Sequence, residues 1–371
     1  MPLSEHRIKE IKCGAIRNMW PRLISRNGKS PVHGYGYTTK ICTITTDTGY
    51  TGWGIGVPDT TMKLLFEGTK LSDLFIPEKG IVHPAFAGAD MALHDLAGKI
   101  LGIPVAKMIN PDADMKAFVY DGAIYQSDLT EQGDMGVEAV MKDVRDDAKR
   151  GYVDYKVKIG RGGKWMQRDE GMKRDSDIIH AIRKEYPNAR IMVDANDMMD
   201  VPTAIEMMEM IKDCDIFWFE EPFPENYDDC MRFKEYLAKE SPNTLLADGE
   251  FEYNTDHIID LAKRGALDVL LPDPVGFGFT QFRKVMSECQ GTKIMCSPHA
   301  WGVKAKVNVT AHLAAAFPGV VPTIEGVPED YIECYDETGY EFSNGILTIP
   351  EKPGFGMDLE WSWPVPIYKP Y

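Results

Sequence analysis

The chain has little of what a disulfide scaffold, a zinc site or a membrane protein needs. Its seven cysteines among 371 residues are odd in number, scattered and never spaced as CxxC, which suits reduced thiols in a cytosolic protein. No apolar run approaches the ~18 residues of a membrane span. The opening MPLSEHRIKEIK lacks the apolar core of a signal peptide, so the chain reads as soluble and cytoplasmic. Positive charge is scarce as well. Lys and Arg number 41 against 57 Asp and Glu, a formal charge of −16, which repels phosphate backbones and anionic lipid. Nucleic-acid and membrane-surface roles fall away, leaving a small-molecule partner. HExxH, GxSxG and Walker sequences do not occur. GFGF at Gly276 to Phe279 lacks the third glycine of a dinucleotide fingerprint and follows the acidic Asp273, which argues against a nucleotide there.

What the sequence has is an eightfold pattern. Short apolar segments recur between residues 117 and 326, and most end in a residue able to bind a metal or move a proton. They are 118–124, 154–158 (DYKVK), 190–196 (RIMVDAN), 216–222 (IFWFEEP), 244–250 (TLLADGE), 269–274 (VLLPDP), 293–299 (KIMCSPH) and 323–325 (TIE). Strands alternating with helices close into a (β/α)8 barrel whose chemistry sits where the strands' C-terminal ends converge. Helical stripes are expected over 137–148, over 205–211 after Pro202, over 258–262 before Gly265, and over 282–289. Ahead of the barrel, two alternating runs, a glycine turn at 47–54 and a helical stripe over 85–101 read as an α+β unit. The expected organisation is an α+β capping domain over 1–115, a modified (β/α)8 TIM barrel over 116–344, and a proline-broken tail over 345–371. That tail would pack back on the capping domain through Trp361, Trp363, Tyr368 and Tyr371.

Asp194, Glu220 and Glu250 close successive strands. Three converging carboxylates repel unless a cation neutralises them, and oxygen-only ligands suit Mg2+. Lys156 and Lys158, two apart on one strand, share a face; adjacent ammonium groups are expected to depress each other's pKa and yield a base. Asp273 and His299 end the sixth and seventh strands, as a carboxylate and an imidazole that exchange a proton with substrate. Glu325 is expected to be a protonated donor to a developing anionic oxygen. Asp248 shares the expected inward parity of Glu250 and has no evident role.

These residues resemble the enolase superfamily, specifically its mandelate racemase subgroup. The match runs through KVK at Lys156 to Lys158, VDAN with Asp194, WFEEP with Glu220, GE with Glu250, PD with Asp273, PHAWG with His299 and IE with Glu325, and extends to residues 88–104 in the N-terminal unit. The resemblance implies one Mg2+ per subunit on Asp194, Glu220 and Glu250. It implies that Lys158 and the His299/Asp273 pair face the α-carbon of a carboxylate substrate from opposite sides, with Lys156 and Glu325 assisting. The implied activity is that of a hydro-lyase, dehydrating a sugar acid (aldonate or aldarate) to a 2-keto-3-deoxy acid. A cycloisomerase of a sugar lactone or anhydro-sugar acid, or a racemase or epimerase, would use the same residues, and an inactive barrel serving in binding or assembly is the non-enzymatic alternative. Capping loops at 20–36 and 55–62 are implied to set specificity, with Arg22, Arg26, Lys29 and His33 over the mouth beside Asn196, Tyr125 and Trp301. The family forms homo-oligomers, often octamers. The charged segment 161–175 departs from the pattern and is read as a local or subunit contact.

Overall fold

The computed structural model describes residues 2–59, 66–131, 133–251, 254–329, 331–332 and 334–360. Positions 60–62 of the second expected loop and the four tail aromatics lie outside the described residues. The N-terminal unit is an antiparallel sheet of β1 (Ile8–Ile24), β2 (Gly34–Thr46) and β3 (Thr51–Ile55), with Tyr331–Ile332 added beside β1. Helix α1 (Asp90–Leu101) lies on this sheet so closely that a Cβ on Gly52 or Gly54 would strike its backbone at Leu96 or Ala92. It stops at Gly102, whose φ of 74° is the left-handed cap glycine alone adopts cheaply.

The barrel strands are β4 (Lys116–Ile124), β5 (Tyr155–Lys158), β6 (Ile191–Asp194), β7 (Ile216–Glu220), β8 (Leu245–Asp248), β9 (Val269–Leu270), β10 (Met295–Cys296) and β11 (Ile324–Gly326). From β4 to β10 they pair in parallel in sequence order, and β11 pairs in parallel with β4. Outside them lie α2 (Val137–Lys149), α3 (Arg168–Glu185), α4 (Val201–Ile211), α5 (Tyr227–Glu240), α6 (Thr255–Lys263), α7 (Phe279–Cys289) and α8 (Lys304–Ala316). Tyr120, Met192, Trp218, Ala247, Val269 and Leu271 form a separate buried cluster that fills the barrel interior, so this is a packed core with the site above it. Asp200 caps α4 by accepting from Thr203 N at 2.9 Å, and Pro202 sits in its first turn.

One seam differs from the other strand contacts. Between β10 and β11 the ladder is replaced by Cys296 N to Val320 O (2.9 Å), Ser297 Oγ to Thr323 O (2.8 Å) and Ala300 N to Glu325 Oε2 (2.9 Å).

Two features differ from expectation. Helix α8 has no amphipathic signature because it is buried on every side, wedged between the barrel and the short helix Val105–Ile109. Residues beyond 345 do not begin a tail: Glu341–Ser343 and Ile346–Thr348 form a hairpin that pairs antiparallel with the first residues of β4. Further on, residues 355–358 do meet the N-terminal unit, through Phe355 N to Asp95 (2.8 Å), Trp53 Nε1 to Met357 O (2.9 Å) and Lys99 to Asp358 (3.0 Å). The charged segment 161–175 is a local contact. Arg161, fully buried, joins Asp128 at 2.6 Å and Asp175 at 2.5 Å, and Arg174 joins Asp128 at 3.0 Å.

Candidate active site

Parallel register aligns the chemistry. Asp194 stands opposite Lys158 on β5 and Glu220 on β7, and all three point inward because Met192 and Trp218, two residues earlier, belong to the interior cluster. Lys158 Nζ donates to Asp194 Oδ2. Lys156 Nζ lies 2.5 Å from Glu220 Oε1, 2.9 Å from Glu325 Oε1 and 3.4 Å from Asp194 Oδ2. Trp218 Nε1 donates to the other Glu220 oxygen at 2.9 Å. Glu325 sits opposite Tyr120, and a Cβ on Gly122 would collide with its carboxylate, so glycine there is a condition of the glutamate's position.

Burial would strip both lysines of charge, but the carboxylates prevail: Glu220 and Glu325 hold Lys156, and Asp194 holds Lys158, above the ordinary lysine range. The expectation of mutual depression is therefore reversed in this structure, because each ammonium has a carboxylate closer than its twin. Glu325 is corrected as well. Burial opposes its ionisation, yet Lys156 and His299 keep it below the usual range, so it is a carboxylate and not a protonated donor.

Across the mouth, His299 Nδ1 lies 3.1 Å from Asp273 Oδ2, while Nε2 faces Glu250 at 3.3 Å and Glu325 at 3.5 Å. Burial works against the imidazolium, but Glu250, Glu325 and Asp273 outweigh it and raise its pKa. Lys306, on the first turn of α8, donates to the same Asp273 oxygen at 2.6 Å. Sequence reading missed Lys306, since a helical lysine is normally solvated; its burial here is what marks it. Despite desolvation, Lys306 and His299 keep Asp273 ionised.

Carboxylates outnumber cations at this end of the barrel. Beside Asp194, Glu220, Glu250 and Glu325 stand Glu221 and Asp248, both buried and both pushed well above the usual carboxylate range, first by desolvation and then by neighbouring acids. Glu221 was also missed, although the doubled glutamate of WFEEP signals it. Asp248 does not share Glu250's inward parity. Ala247 is interior, so Asp248 faces out; the strand then ends and Gly249, at φ 110°, breaks the alternation. Asn196, Asp197 and Glu221 hold positive φ of 48°, 61° and 43° beside these acids, the kind of backbone strain that collects at functional sites. Asn196 Nδ2 donates to Glu221 Oε2 at 3.3 Å, while its Oδ1 and one oxygen of Asp248 are buried without a partner. The oxygens of Asp194, Glu220 and Glu250 do not close to within 4.8 Å of one another; among the described residues His180, Asp213 and Cys214 do.

The loop residues divide. His33, Tyr125 and Trp301 come together, with centroids of 4.9 Å (His33–Tyr125), 5.1 Å (His33–Trp301) and 5.9 Å (Tyr125–Trp301), and Lys158 Nζ lies 5.5 Å over Tyr125. Arg22, Arg26 and Lys29 do not join them. Arg22 is locked on Asp147 (2.5 Å) and Asp143 (3.3 Å) of α2. Arg26 lies over Trp165 at 4.7 Å, and Lys29 pairs with Asp197 at 3.1 Å.

Residues 139–363 match the model of the enolase C-terminal domain-like family. D-Galactarolactone cycloisomerase of Agrobacterium fabrum is 27% identical over 331 residues, 84% of this chain and 80% of that protein. Arabinonate dehydratase of Saccharolobus solfataricus is 26% identical over 290 residues, 76% and 71% of the two chains. Galacturonate dehydratase from Geobacillus sp., solved with D-galacturonate and 5-keto-4-deoxy-D-galacturonate, is similar with a TM-score of 0.88 and 29% identity, over 96% of this chain and 95% of that one.

Proposed function

The chain belongs to the enolase C-terminal domain-like family, and from that premise we propose that it is an Mg2+-dependent dehydratase of sugar acids. The observation that carries the reading is the arrangement around one mouth. Lys158 stands on one side and the His299–Asp273 pair on the other, with carboxylates in excess of cations between them. Excess buried acid beside the unpartnered oxygen of Asn196 suits a dication. Asp194, Glu220 and Glu250 would hold it. Bound Mg2+ supplies positive charge to the substrate carboxylate as the enediolate forms.

The chain's own groups do the rest. Lys158, released from its ion pair with Asp194 and acting as the neutral amine, takes the α-proton, Lys156 adds positive charge beside the substrate carboxylate, and His299 gives its proton to the β-hydroxyl. The β C–O bond breaks and water leaves. The enol then takes a proton at the β-carbon and gives up the one on its oxygen, giving the 2-keto-3-deoxy acid. Asp273, clamped by Lys306, orients the imidazole. The N-terminal unit, with residues 353–358, is assigned the role of cap over the mouth.

The test is release of 2-keto acid from an acid-sugar library with Mg2+. Glu220→Gln should stay folded and lose Mg2+ affinity by calorimetry; unchanged affinity removes Glu220 from the site. Parent rates in both Lys158→Ala and His299→Asn would sink the mechanism. A product with the mass of the substrate would instead identify a cycloisomerase or epimerase.

A further inference from the structure

The positive charge that the sequence sets over the mouth is spent elsewhere. Arg22 is half-buried against α2, where desolvation works against its charge and Asp147 and Asp143 sustain it. Arg26 lies on Trp165, and Lys29 is half exposed and paired with Asp197. The wall beside Lys158 is aromatic. Trp301 is ringed by Trp20 (5.0 Å), His33 (5.1 Å), Tyr37 (5.6 Å) and Tyr125 (5.9 Å).

The polar atoms of this wall have a definite sense. His33 Nδ1 is 2.8 Å from Ser25 O, so that nitrogen donates and the neutral ring leaves Nε2 as an acceptor. Burial, with Lys158 adding to it, favours the neutral form. Trp301 Nε1–H is buried with no acceptor. One acceptor, one unpartnered donor and a set of aromatic faces match a sugar, whose hydroxyls donate and accept and whose C–H face is apolar. They do not match a carboxylate, which finds no cation on this wall among the described residues and is repelled by the negative ring faces.

We propose, on the premise of the acid-sugar reading above, that the substrate is a ring-closed sugar acid with a single carboxylate. Its carboxylate sits at the metal end, and its ring lies against Trp301 and Tyr125; its α-carbon carries the ring oxygen, so loss of water leaves a ring enol ether, whose hemiacetal C–O bond then breaks to give the enol and an aldehyde. Open-chain dicarboxylates lack a partner for their distal charge among the described residues.

With the Mg2+-loaded full chain, kcat/KM is measured for pyranose uronates, open-chain aldonates and open-chain aldarates, and binding of each class is followed in parallel by tryptophan fluorescence. Ring acids should lead both open-chain classes by about tenfold or more, the scale a mismatched pocket imposes. Trp301→Leu should narrow that ratio; if that variant does not fold, Tyr37→Leu, at a half-exposed position, replaces it. Aldarates or aldonates that match the ring acids overturn the inference and leave the lyase reading standing. So does a ring preference that survives at full size in a folded wall variant, because its source is then elsewhere. If no acid sugar is turned over but ring acids bind preferentially, the reaction assignment falls and the ring site stands. If ring acids neither react nor bind better than the others, both fall.

Discussion

Acidification should unlatch the molecule at His312. This histidine lies on α8, fully buried, with Nδ1 accepting from Ala106 N at 3.0 Å and Nε2 at 2.9 Å from the hydroxyl of Tyr340. Tyr340 in turn donates to Phe355 O at 2.6 Å, so its oxygen is the acceptor for Nε2–H and the imidazole is neutral. A second proton on the ring would point an N–H at the N–H of Ala106. Burial holds the pKa down to about 3, from 6.5. Because the folded value is the lower one, the unfolded chain binds more protons. The stabilisation is complete above pH 6.5 and is lost as pH falls toward 3. At pH 5 the loss from this one group is about 2 kcal/mol, at ~1.4 kcal/mol per pKa unit. The assay is urea unfolding at pH 7.5 and pH 5.0 for the parent and for His312→Gln, whose amide can both accept from Ala106 and donate to Tyr340. Between the two pH values the parent should lose about 2 kcal/mol more than the variant. Equal losses would refute the assignment of a neutral, doubly bonded imidazole.

Three further outcomes follow from the geometry. Arg161→Met strands Asp175 as a buried charge and leaves Asp128 with Arg174 alone, and should cost about 3–5 kcal/mol in urea unfolding; a cost under about 1 kcal/mol would mean that the carboxylates relax to solvent. Gly122→Ala should push Glu325 from Lys156 and cut kcat by about tenfold or more while the melting temperature moves little, and an unchanged kcat would show that the carboxylate yields freely. Lys306→Met should lower kcat more than it alters KM, since Asp273 loses a clamp that touches no substrate; a pure KM effect would place Lys306 in binding.

The eight strand ends were legible because most pair a short apolar run with a chemistry-bearing residue, and parity then aligns Lys156, Lys158, Asp194 and Glu220. Parity failed at Asp248, where one glycine with positive φ turns the chain over. Charge state was not legible at all: the pKa of Lys158 and of Glu325 depends on which partner lies nearest, and that is set by long-range packing. Helix α8 hid for a related reason. A helix buried all round has no polar face to reveal its period, and with it Lys306 went unread. Arg22 was read as a loop cation because its partners, Asp143 and Asp147, lie over a hundred residues away on another element.

The seam between β10 and β11 has a consequence in time. His299 follows one edge of it and Glu325 lies on the other, and the bonds across it include one made by the Glu325 carboxylate itself. A chain with seven strands in place and the seam open would show nearly all its native circular dichroism, yet its proton donor would have no opposing wall. The bonds across the seam span only 25 and 26 residues, but β11 reaches its place by pairing with β4, more than two hundred residues earlier, and contacts of that separation form late. Recovery of turnover during refolding should therefore lag behind recovery of secondary structure, making catalysis the reporter of ring closure.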